Sequence, residues 1–104
     1  MKNEWVKQMK HEQLKSGDIV VFKRYCDIYN EEVFQDGIVI GVYPKWKEID
    51  ISWLEGHKSR NDSVKNEKVI AKGDENGQHM RFNNIVGKSI LLGNFDMTYE
   101  KVED

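Results

Sequence analysis

The sequence predicts a mainly β domain, a small barrel or rolled antiparallel sheet of five to six strands preceded by one helix. Three observations carry that expectation. Gly17-Asp18 runs into Ile19–Phe22 and Asp36-Gly37 runs into Ile38–Val42, so two turn-forming pairs each open a β-branched string. Residues 48–53 alternate strictly, with Ile49, Ile51 and Trp53 on one face and Glu48, Asp50 and Ser52 on the other. Turn signals then recur about every ten residues, as in small all-β folds.

The elements follow in order. Residues 3–14 place Trp5, Val6, Met9 and Leu14 at helical spacing behind a capping Asn3. A first strand covers about 18–24, with Val20, Phe22 and Arg24 on one face and Ile19, Val21 and Lys23 on the other. Residues 25–32 form a polar connection with aromatic anchors, longer than a tight hairpin. The second strand spans about 33–43, and its interior Gly41 marks a bend or bulge. A turn at Pro44–Lys47 joins it to a third strand at 48–54, and the nearly all-polar stretch 55–66 reads as a long loop. Further short strands are expected at 67–72, 78–82 and 88–92, with an acidic tail over 96–104 that either is pinned by Tyr99 and Val102 or frays. The chain is thus one domain, 1–104, with the barrel over 18–93.

Gly17-Asp18 into Ile19–Phe22, followed by Asp36-Gly37 into Ile38–Val42, resembles the opening of SH3-like barrels of the KOW and Tudor type. The resemblance covers about a quarter of the chain, and it implies a small interaction fold rather than a particular activity.

Composition narrows the function classes. The 104 residues suffice for one modest core, and three Trp, four Tyr and four Phe exclude a disordered composition. Net charge is −2, and each half holds eight basic and nine acidic residues. That balance disfavours nucleic acid as the partner, because phosphate contacts demand a basic surface. A lone Cys26 allows no internal disulfide and fits a reducing, cytoplasmic setting. No apolar run approaches the ~20 residues that cross a bilayer, and no export leader is expected at the N-terminus. Abundant Lys, Asn, Ile and Glu with a single Pro point to an AT-rich bacterial or phage genome.

The chemical motifs are sparse. Gly87-Lys88-Ser89 matches the end of a phosphate-binding loop, but the glycine required five residues earlier is Phe82. His11, His57, His79 and Cys26 lack the close pairing of zinc ligands, so no metal, cofactor or catalytic residue is expected. Glu48 and Asp50 share a strand face where solvent-facing charges belong. Two basic groups remain as partner-binding candidates: Lys45, Trp46 and Lys47 at the hairpin tip, and His57, Lys58 and Arg60 beyond the third strand. An indole on a turn can grip a peptide or a base, or fold back to cap the barrel. Asp62 stands close enough in sequence to neutralise Arg60. If the second and third strands pair, the two groups lie roughly 20 Å apart and form separate sites. The expectation is a non-enzymatic module that binds a protein partner in a regulatory or inhibitory role, with RNA or single-stranded DNA as the alternative ligand.

Overall fold

The β-branched run after Gly17-Asp18 begins β1 (Ile19–Cys26), which turns at 27–30 into the thirteen-residue β2 (Glu31–Tyr43). The computed structural model describes residues 14–73, 79–83 and 89–102. A 3₁₀ turn at Pro44–Trp46 leads into β3 (Glu48–Glu55), and Gly56-His57 leads into β4 (Lys58–Lys65). A second 3₁₀ turn, Asn66–Lys68, precedes β5 (Val69–Lys72). Three short strands follow: β6 (His79–Asn83), β7 (Ser89–Leu91) and β8 (Thr98–Val102).

The main sheet has six strands in the order β4-β3-β2-β1-β5, with β7 added to β2. Pairing along the path is antiparallel, whereas β7 runs parallel to β2 at Val33–Gln35. A separate two-stranded parallel sheet joins β6 and β8. β2 is long enough to serve two neighbours, pairing with β1 over Glu31–Ile38 and with β3 over Ile38–Tyr43.

The sheet does not close, which corrects the barrel expected from sequence. β4 and β5 stand at opposite ends of the strand order. β4 is exposed at every position except Val64, so little apolar surface draws it onto β5. That same exposure explains why residues 55–66 read as a loop: a strand wet on both faces has no hydrophobic period. The connection between the first two strands is likewise tighter than expected. β1 runs on to Cys26, and the turn is closed by Asn30 in the left-handed region at φ 55. The helix expected over 3–14 lies outside the described residues except for Leu14, which is buried, and no α-helix occurs among those described.

Both faces of the sheet bury apolar side chains. On one, Val20 and Phe22 of β1 pack with Val39, Ile49, Ile51 and Trp53. On the other, Val21, Phe34 and Ala71 are covered by Ile90, Leu92, Met97 and Tyr99 from the C-terminal segment. The β2–β3 register shifts between Val39 and Gly41, a bulge that places Val39 and Val42 on the core face and leaves Ile40 half exposed. The bend expected at Gly41 is therefore present, with Ile40 as the extra residue.

A fully buried carboxylate fastens the C-terminal segment. Asp36 Oδ2 accepts the backbone N–H groups of Gly93 and Asn94, both at 3.0 Å, and the Tyr99 hydroxyl at 2.5 Å. Gly93, at φ 109, turns the chain so that two successive N–H groups converge on one oxygen. Tyr99 thus pins the stretch expected as an acidic tail. Burial, followed by the hydrogen bond and the charge of Asp36, raises the Tyr99 phenol well above its ordinary 10.0. The native state therefore holds that proton more tightly than the unfolded chain does. The resulting stability is fully present below about pH 10 and is lost as pH rises towards the native value. Melting temperatures between pH 8 and 11 should fall less steeply for Tyr99→Phe than for the wild-type protein. Tyr43, raised by its hydrogen bond to Asp50, is common to both and cancels in that comparison.

Candidate functional site

The two basic groups singled out by sequence sit at opposite ends of β3. Lys45, Trp46 and Lys47 occupy the β2–β3 turn, whereas His57 and Lys58 stand at the β3–β4 turn with Arg60 two residues into β4. Eight strand residues separate the turns, about 25 Å at strand rise. They are not brought together.

At the first turn Lys47 takes a left-handed conformation, φ 56, and its N–H closes onto the Pro44 carbonyl. Trp46 is 61% exposed, with the Lys45 ammonium 5.2 Å from its ring centroid. The indole does not fold back onto the sheet. Trp46→Ala should accordingly change the free energy of unfolding by no more than ~0.5 kcal/mol, as checked by urea denaturation.

At the second turn Arg60 is neutralised, though not by Asp62. Its Nε and terminal nitrogen both lie 3.0 Å from Glu55 Oε1. Asp62 instead accepts the Trp53 indole N–H at 2.9 Å. Glu48 and Asp50 behave as solvent-facing groups that stitch strands together: Glu48 pairs with Lys65 at 2.7 Å, and Asp50 accepts from Tyr43 and Ser63.

A cleft that sequence reasoning missed opens at the same end of the sheet as the 56–57 turn. Its volume is about 310 Å³. Arg24 and Cys26 enter it from β1, and Ile28 and Tyr29 from the 27–30 turn. Leu54 and Glu55 of β3 form the facing side, and Leu91, Leu92 and Asn94 line it from the C-terminal segment. Asn94 is fixed there by its amide, which donates to the Leu54 carbonyl at 2.9 Å. The rim is apolar and wet: Ile28 is 76% exposed and Tyr29 is more than half exposed. Cys26 is buried at the end of β1, which corrects its placement in the connection expected over residues 25–32.

Arg24 is the charged feature of this cleft. It continues the Val20–Phe22 row past the end of the apolar core, so its stem is half-buried and its head reaches the cleft. Its guanidinium stacks on Trp53, 3.8 Å from the ring centroid. Nε and one terminal nitrogen donate to Gln35 Oε1 at 3.2 and 3.0 Å, and the other terminal nitrogen donates to the Tyr25 carbonyl at 3.3 Å. Gln35, 1% exposed, is fixed in turn by its amide, which donates to the Leu91 carbonyl and to Asp36. Three of the five N–H groups of an arginine are thereby spent, leaving one on each terminal nitrogen. No carboxylate among the described residues pairs with Arg24, since Glu55 is held by Arg60.

The sequence held partial signals for this site. Arg24 falls on the Val20–Phe22 face of the first strand, and Tyr29 lies in the aromatic-anchored connection over 25–32. Gln35 and the C-terminal wall gave none, because both depend on β7 folding back onto β2.

Among the described residues, no group of three or more His, Cys, Asp or Glu side chains is placed to hold a metal ion, and no helix is long and apolar enough to cross a membrane. Comparison with known proteins returned no significant match, whether to a family model, a curated protein or a solved structure.

Proposed function

We propose that the chain is a small, non-enzymatic interaction module of SH3-like type that binds a segment of a protein partner in the Arg24 cleft. The strand order supports the SH3-like assignment, with β5 returning beside β1 after a short 3₁₀ turn. One observation carries the binding reading. A pre-organised arginine without a carboxylate partner among the described residues lies in a cleft whose apolar rim leaves Ile28 and Tyr29 exposed. Such a concave, mostly apolar surface with a few fixed polar groups is what a short peptide segment fills. To this reading belong a cytoplasmic setting, which the lone Cys26 fits, and a regulatory or inhibitory role in a bacterium or phage, whose AT-rich genome the Lys, Asn, Ile and Glu content suits.

Peptides selected by display against the intact chain test this reading. Ile28→Ser and Tyr29→Ala should each weaken the selected peptides at least tenfold, and Trp46→Ala should leave them unchanged. Failure to enrich any peptide, or loss of binding on Trp46→Ala alone, contradicts it. A second reading, single-stranded nucleic acid at the hairpin tip, draws on the exposed Trp46 with Lys45 against its ring. It requires affinity that falls steeply with salt and disappears in Trp46→Ala.

A further inference from the structure

Taking the cleft as the binding site, we infer that it recognises a carboxylate carried next to an aliphatic side chain, with Arg24 as the anchoring group. The remaining N–H groups of Arg24, one on each terminal nitrogen, can form the two-pronged contact that a carboxylate accepts. Gln35 and the Trp53 ring already hold the guanidinium in place, so little side-chain freedom is lost when the anion arrives. The apolar lining beside it, Ile28, Leu54 and Leu92, suits a branched aliphatic group.

Charge selects the carboxylate over a phosphate. Among the described residues Arg24 is the one cation lining the cleft, Glu55 lines it too, and the chain carries −2 overall. A single uncompensated positive charge matches a monoanion, whereas phosphate sites gather several cations or a row of backbone N–H groups.

The test uses isotope-labelled full-length protein titrated with N-acetyl-leucine, its neutral amide and inorganic phosphate, followed by NMR. N-acetyl-leucine should shift the Arg24 Nε–H and the Cys26 and Gly56 amides saturably in the millimolar range. The amide and phosphate should each bind at least tenfold more weakly. Arg24→Lys keeps the charge but loses the fork, and should weaken N-acetyl-leucine about tenfold; Arg24→Gln should abolish its binding. Equal binding of acid and amide, undiminished binding to Arg24→Lys, tighter binding of phosphate, or no saturation by N-acetyl-leucine would overturn the inference. The first comparison needs only the wild-type protein, so it stands even if Arg24→Gln does not fold. Should N-acetyl-leucine fail while display-selected peptides still occupy the cleft, the carboxylate anchor falls and the peptide-binding reading survives.

Discussion

Gly37→Ala is expected to destabilise the fold by about 3 kcal/mol through overpacking. Gly37 pairs with Val20 of β1 and lies beside the point where β2 begins to pair with β3. A Cβ added there would stand 2.5 Å from Ile51 Cγ2, 3.0 Å from the Ser52 carbonyl oxygen and 3.1 Å from Phe22 Cε1. Ile51 and Phe22 are fully buried, and the Ser52 oxygen is backbone, so none of the three can swing aside. For a domain of this size the loss corresponds to a melting temperature roughly 12–24 °C lower. Gly41→Ala is the control. Its nearest neighbour, Tyr43 Oη at 3.1 Å, ends an exposed side chain that can move, and the change should stay within ~0.5 kcal/mol. Equal melting temperatures for the two variants would show that the β1–β2–β3 junction is not packed as described.

Asp36→Ala is expected to release the C-terminal segment. The substitution removes the acceptor for the Gly93 and Asn94 N–H groups, the Tyr99 hydroxyl and one bond from Gln35. Each part-buried donor stranded in this way costs on the order of 1–3 kcal/mol. That cost is shed most cheaply by local opening of residues 89–102, not by global unfolding. Hydrogen exchange should then show protection lost at β7 and β8 while β1, β2 and β3 keep theirs. The cleft would lose Leu91, Leu92 and Asn94 from its wall, so peptide binding should fall with it. Uniform loss of protection across the sheet would mean that Asp36 supports the whole core, and unchanged protection that it fastens nothing.

The strands that face the core were legible in the sequence because burial imposes a period on them. Ile49, Ile51 and Trp53 alternate and are buried; Val20 and Phe22 share a face, as read. β4 escaped because water on both faces removes any constraint on its pattern. The bulge at Ile40 reversed the facing of β2 partway along, which a strict period of two cannot anticipate. The basic residues at the turns stood out by composition, yet Arg60 is held by Glu55 and the tip residues stand alone at the far end of β3. The cleft was hidden for a different reason. Its arginine is positioned by a glutamine eleven residues away, and its wall comes from residues more than sixty further along the chain. Contacts of that range leave no local mark in a sequence.

The central claim is that a partner binds at the Arg24 end of the sheet. Its most direct test is an amide chemical-shift map of the intact protein with a display-selected peptide. Perturbations gathered at residues 24–29, 54–56 and 91–94 are the predicted result. Perturbations confined to 44–47, or running along the outer edge of β4, would contradict it.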